Sequence, residues 1–166
     1  MGAGILPICI INNKLLFLFG KDYNTKSWSD FGGRTEKGET DFDTAIREGA
    51  EELNGFLGSN TKLANLVKTN NLLTINYDSY KIYIFIIKFD KNLPYYFNSS
   101  SNFILNKFSN KTIPEGLFEK SEIRWFTYND LKNQRNNFRL FYRPIVDIIT
   151  NEYETLLVKT KQLKCM

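Results

Sequence analysis

A chain of 166 residues, 42% hydrophobic and 24% charged, is long enough to bury about two-thirds of its unfolded surface and too apolar to stay disordered. Fibrous and low-complexity classes are excluded, and one domain spanning residues 1–166 is expected. The net charge of +4 favours anionic partners without specifying nucleic acid, while the absence of histidine leaves any catalysis to carboxylates, lysine, arginine or tyrosine.

Cys9 lies in an apolar run and Cys165 one residue from the end, so no disulfide framework is expected and a reducing compartment fits. No basic region precedes the first apolar run, and Pro7, Asn12, Asn13 and Lys14 interrupt it. The sequence therefore predicts neither a signal peptide nor a membrane partner, and a cytoplasmic setting.

In chain order, the runs ILPICII and LLFLF joined by Asn12, Asn13 and Lys14 predict two strands and a turn. The stretch from Gly20 to Gly33 lacks periodicity and predicts a loop returning to the sheet, ending in a sharp turn at paired glycines. From Thr40 the period changes: Phe42, Ala45, Ile46, Gly49 and Leu53 form one face of a helix capped by Thr40 and stopped by Asn54 and Gly55. Tyr77 to Asp90 is β-branched and aromatic, as a central strand is, whereas 92–110, rich in Asn and Ser, reads as an irregular connection. The segment EIRWFTY predicts a late strand, and 131–149 a helix kinked or started by Pro144.

On the predicted helix Glu48, Glu51 and Glu52 stand at i, i+3 and i+4, with Cβ atoms about 5 to 6 Å apart on one side. A surface face kept only for solubility usually interleaves lysine, yet none occurs between Glu39 and Lys62. Three unneutralised carboxylates repel one another, and hard oxygen donors at this spacing suit Mg²⁺ or Mn²⁺.

The same residues resemble the signature of the Nudix hydrolases: a glycine, a glutamate, Arg-Glu and then Glu-Glu at fixed spacing, met here by Gly33, Glu39, Arg47, Glu48, Glu51 and Glu52. Six fixed positions coincide by chance at roughly one in 10⁷ per starting point. Gly49 stands where the pattern has a hydrophobic residue and Asn54 where it has a closing glycine, and neither departure removes an acidic residue. The resemblance implies an α/β (α+β) fold, an α/β/α sandwich on a mixed sheet. The activity it implies is metal-dependent hydrolysis of a phosphoanhydride in a nucleoside diphosphate linked to another moiety.

The resemblance assigns Glu48, Glu51, Glu52 and the Gly32 carbonyl to the metal, and Gly33, Glu39 and Arg47 to supporting the site. A further carboxylate acts as base in many relatives, and Glu119 or Glu122 is the candidate here. For substrate, Tyr23 and Trp28 offer rings for stacking, Arg34 a cation near the box, and Arg135, Arg139 and Arg143 a basic stripe if their segment is helical. WSDFGG before the box, with that stripe, looks most like the mRNA-decapping branch and its viral relatives, so the expected partner is a nucleotide or polyphosphate, capped RNA foremost. Small nucleotides, dinucleoside polyphosphates and diphosphoinositol polyphosphates are the alternatives, and a non-catalytic ligand- or RNA-binding module is a third.

Overall fold

The apolar runs that open the chain form its two longest strands. In the computed structural model, which describes residues 1–108 and 118–164, β1 (Gly2–Ile11) and β2 (Lys14–Asp22) pair antiparallel with Ile11 opposite Lys14. Asn12 and Asn13 between them take φ of 47° and 60°, the left-handed pair that a two-residue hairpin turn requires. β1 changes neighbour along its length, pairing over Gly2 to Ile5 with β4 (Phe31–Arg34) and over Ile8 to Ile11 with β2. Pro7, which has no N–H to give, falls at that changeover.

On its other side β1 runs parallel to β6 (Tyr80–Ile86), and β5 (Asn71–Tyr77) closes that edge. β2 carries β3 (Trp28–Ser29) and β7 (Lys120–Phe126), completing a mixed sheet of seven strands. Alternation along β1 sends Ala3 and Ile5 to one face and Leu6 and Ile8 to the other. The first face is covered by α1 (Asp41–Glu52), α2 (Asn60–Asn70) and α3 (Leu93–Lys107), and the second by α4 (Tyr128–Asn133), α5 (Arg143–Asn151) and α6 (Tyr153–Lys164). The result is the α/β/α sandwich on a mixed sheet that the resemblance implied. Among the described residues no helix is long and apolar enough to cross a membrane. Cys9 is buried in β1, and Cys165 lies outside the described residues.

Four segments differ from the sequence expectation, the first being the paired glycines Gly32 and Gly33, which lie within strand β4 where a sharp turn was expected. The connection expected at 92–110 contains α3, although its positions 109 and 110 lie outside the described residues. Phe97 and Ser101 are buried there, and Asn98 meets β7 twice, accepting from the Ile123 N–H at 2.8 Å and donating to its carbonyl at 3.3 Å. One amide thus substitutes for a neighbouring strand along an edge that water would otherwise reach, and tertiary packing overrides the turn preference of the serines and asparagines. The strand expected from Tyr77 is interrupted at Asp78, whose φ of 49° makes the turn between β5 and β6. The segment 131–149 breaks into the end of α4, two single 3₁₀ turns (Arg135–Asn137 and Leu140–Tyr142) and α5, with Pro144 in the first turn of α5.

Candidate active site

The carboxylates reach the sheet because α1 is fixed at both ends. Thr40 caps its start, accepting from the Asp43 N–H at 3.2 Å while the Asp43 carboxylate accepts from the Thr40 N–H at 3.1 Å. At the other end Asn54 takes φ 49°, its N–H meets the Glu51 carbonyl and the Gly55 N–H meets the Ala50 carbonyl, both at 2.9 Å, the double bond of a Schellman stop. The Asn54 side chain does more than tolerate that geometry: its Oδ1 accepts from the Phe118 N–H at 3.2 Å, tying the approach to β7 onto the end of the helix.

Glycines set how closely α1 approaches. A Cβ on Gly49 would lie 2.7 Å from Cγ1 of Ile5, so the isoleucine side chain occupies the space that a hydrophobic residue at 49 would take. A Cβ on Gly33 would lie 2.5 Å from both Glu48 carboxylate oxygens. Gly33 of β4 is therefore needed for Glu48 to lie against the strand.

Arg47 gathers the outer carboxylates. Its Nε donates to Glu39 Oε1 at 2.6 Å and Nη2 to Glu39 Oε2 at 3.0 Å and to the Arg34 carbonyl at 3.1 Å, while Nη1 reaches Glu48 at 2.9 Å and Glu51 at 3.3 Å. Bidentate pairing with Arg47 holds the Glu39 carboxyl down at about 2 and raises the guanidinium further above its ordinary range. Glu48 goes the other way, pushed up because its burial outweighs the hydrogen bond from Arg47. The charge of Glu119 is also felt at Glu48. Glu122, the other distal candidate, is paired across the strands with Lys21 at 3.4 Å. Glu119 makes no such ion pair among the described residues, and its carbonyl is fixed by the Tyr23 N–H at 2.8 Å.

Glu52 belongs to a different environment. It is 3% exposed, with Oε2 accepting from the Gly32 N–H at 2.8 Å and Oε1 facing the Lys120 ammonium at 3.2 Å. Gly32 thus meets this carboxylate through its N–H. Lys120 is itself fully buried and donates to Ser29 Oγ at 2.9 Å, and the Ser29 hydroxyl donates to the Asp30 carbonyl at 3.1 Å. Asp30, 1% exposed, accepts from the Tyr80 hydroxyl at 3.1 and 3.2 Å. Burial pushes the Asp30 carboxyl up to about 7 and that of Glu52 up to about 8, with the nearby ammonium opposing both shifts, and it raises the Tyr80 hydroxyl well above its usual range.

The other expected binding residues divide. Tyr23 is half exposed with the Lys26 ammonium 4.3 Å from its ring centre, and Arg34 is exposed at the end of β4. Trp28 is core, 5% exposed and edge-on to Phe126, so it offers no face to a ligand. The arginine stripe does not form, because its segment breaks into two 3₁₀ turns separated at Phe138 and Arg139, where the Arg139 N–H meets the Trp28 carbonyl at 3.0 Å. Arg135 is clamped on Asp147, with Nε–Oδ1 at 2.6 Å, and Arg143 donates to the carbonyls of Asn136 and Phe138 at 2.7 and 3.2 Å.

Lys120, Asp30, Ser29 and Tyr80 escaped sequence reasoning. Strict alternation puts Lys120 on the half-exposed side with Glu122 and Arg124, but the register slips between Lys21 and Asp22, so that Glu122 faces Lys21 and Lys120 faces Asp22. That bulge turns Lys120 inward. Gly20 makes the room, since a Cβ there would lie 2.9 Å from the lysine stem.

Hard carboxylate oxygens on successive turns fit a divalent cation in donor type, although among the described residues no three acidic side chains converge into a ready-made cage. The available donors are on the outer side: the Glu48 and Glu51 side chains are 16% and 37% exposed, against 5% for Glu52.

No protein-family model matches the chain, and no curated protein matches it in sequence. Solved structures match its fold. A bifunctional NMN adenylyltransferase/ADP-ribose pyrophosphatase from Francisella tularensis, complexed with AMP and a manganese ion, aligns with 90% of this chain at a TM-score of 0.56 and 16% identity. The chain spans 41% of that protein's length. An Ap4A hydrolase from C. elegans aligns over 100% of both chains at 0.49 and 14% identity, and the Nudix domain of Shewanella oneidensis NrtR, complexed with ADP ribose, over 97% of this chain and 85% of its own at 0.45 and 11% identity. With the signature residues seated on one loop, strand and helix of this sandwich, the chain has the fold of the Nudix hydrolases.

Proposed function

We propose that the chain is a divalent-metal-dependent pyrophosphohydrolase acting on a nucleoside diphosphate linked to a second group. The observation that carries this reading is the outer array, in which Arg47 holds Glu39, Glu48 and Glu51 together beside a glycine-lined strand. Mg²⁺ or Mn²⁺ held by Glu48 and Glu51 would neutralise the polyphosphate and lower the pKa of its water. Arg47 offsets the repulsion among the carboxylates and fixes their rotamers, and Gly33 lets Glu48 lie against β4. Glu119, whose charge acts on Glu48, takes the proton from the attacking water as its oxygen bonds to phosphorus. The bridging P–O bond breaks, and the leaving phosphate carries away its electron pair.

Small dinucleotide-like substrates such as ADP-ribose or dinucleoside polyphosphates are favoured over capped RNA. The helical arginine stripe that would have followed an RNA backbone does not form, and two of its three members are engaged elsewhere, Arg135 by Asp147 and Arg143 by backbone carbonyls. Product analysis tests this with ADP-ribose, diadenosine tetraphosphate, nucleoside triphosphates, diphosphoinositol polyphosphate and cap-labelled RNA, each with Mg²⁺ or Mn²⁺, beside Glu48→Gln. Cleavage of a small nucleotide by the wild type alone is expected. Release of methylated guanosine diphosphate from RNA would reinstate decapping, and tight binding without cleavage of any substrate would make the chain a binding module.

A further inference from the structure

The fold resemblance and the signature spacing put Glu52 among the metal ligands, yet its surroundings assign it another partner. Both of its carboxylate oxygens are already engaged, Oε2 by the Gly32 N–H at 2.8 Å and Oε1 by the Lys120 ammonium at 3.2 Å. The ammonium has no exposed surface, is oriented by Ser29 Oγ at 2.9 Å and threads through the space left by Gly20. A surface lysine could swing away to admit an ion, whereas this one is enclosed on every side. An ion at Glu52 would also face a like charge in a poorly screened interior. Glu48 and Glu51 differ on each count, being more exposed and, among the described residues, each accepting one hydrogen bond, from Arg47.

Resting on the hydrolase reading above, we infer that the Lys120 ammonium is the resident cation of Glu52, standing where a divalent ion would otherwise sit, so that Glu52 is a positioning residue and the metal is held by Glu48 and Glu51. Glu52 then holds Gly32 of β4 and Lys120 of β7 at fixed distances, bracing the strand on which Glu48 rests. The site binds fewer divalent ions than its count of glutamates implies.

Titration with Mn²⁺, following the free ion by electron paramagnetic resonance, tests this directly on the full chain. Glu48→Gln is expected to weaken Mn²⁺ binding about 10-fold or more, and Glu52→Gln to leave it within about 2-fold. Lys120→Met is expected to gain one further tightly bound Mn²⁺ per chain, an effect that loss of a merely structural lysine does not produce. Should Lys120→Met fail to fold, the two glutamine variants decide the matter alone. Equal weakening by Glu52→Gln and Glu48→Gln overturns the inference and leaves the hydrolase reading intact. Absence of Mn²⁺ binding by the wild type at millimolar concentration overturns both.

Discussion

Glu51 and Glu52 are consecutive residues of one helix, and they show how differently a fold can treat the same side chain. Glu51 and Glu48 lie toward solvent under a planar guanidinium that serves both of them and Glu39. Glu52 lies in the interior beside a second buried carboxylate, Asp30, with one ammonium for the two of them. On the outside, solvent and a five-donor fork share the charge, so a carboxylate can exchange partners. On the inside nothing replaces Lys120 except a proton. The outer group is thus suited to admitting an ion and the inner group to holding strands in place.

The largest effect should come from removing the inner cation. Lys120→Met leaves Glu52 without its ion-pair partner and Asp30 without a nearby positive charge, and is expected to cost about 3 to 5 kcal/mol in urea unfolding near pH 8. The loss should shrink toward pH 5, because both carboxyls then take up protons; an equal loss at both pH values contradicts the comparison.

The wild type should show the same chemistry in its own pH profile. Asp30 and Glu52 are raised to about 7 and about 8 from 3.8 and 4.5, so the folded state binds more protons than the unfolded state between those limits. The stability they contribute is fully present below about pH 4 and is lost as pH rises through 7 to 8. Glu39, held down at about 2, contributes stability that is present above 4.5 and lost as pH falls toward 2. Unfolding midpoints across pH 3 to 9 are expected to separate the two windows, with stability declining from about 5 to 8; a steady rise over that range contradicts the assignment.

On the outer side, Arg47→Gln removes the fork from three carboxylates and is expected to cost about 2 kcal/mol, with the effect reduced at high salt. Gly49→Ala sets a helix-propensity gain of about 1 kcal/mol against overpacking on Ile5 of about 1 to 3, for a net loss near 1 kcal/mol. Ile5→Val should relieve the crowding, so the double mutant is expected to be more stable than the sum of the singles, and strict additivity would show that the two do not touch. Asn54→Gly keeps the left-handed stop and loses the bond to Phe118, an effect of about 0.5 to 1 kcal/mol that denaturant midpoints can resolve.

Much of the outer group was legible in the sequence: helical spacing puts Glu48 and Glu51 on one side, the resemblance added Gly33, Glu39 and Arg47, and the structure brings these five together. The inner group was not legible. Lys120 is turned inward by a register slip against β2, and its partners Ser29 and Glu52 lie 91 and 68 positions earlier in the chain. The two departures from the box read differently in three dimensions than in one. Gly49 makes room for Ile5, which fills the stripe from the sheet side, and Asn54 supplies a contact that the missing glycine could not. The arginine stripe does not form because a bridge from Phe138 to β3 divides the segment into two 3₁₀ turns and breaks the helical period. α3 was missed because Asn98 acts through β7 and not through local propensity.

The most direct test of the account is the initial rate of phosphoanhydride cleavage by wild type and Glu48→Gln, measured by phosphorus NMR over the substrate panel with Mg²⁺ and again with a chelator. Cleavage by the wild type is expected with Mg²⁺ and not with the chelator, and Glu48→Gln is expected to be slower by a factor of about 100 or more. Cleavage that is indifferent to the metal, or that survives Glu48→Gln undiminished, would contradict the account.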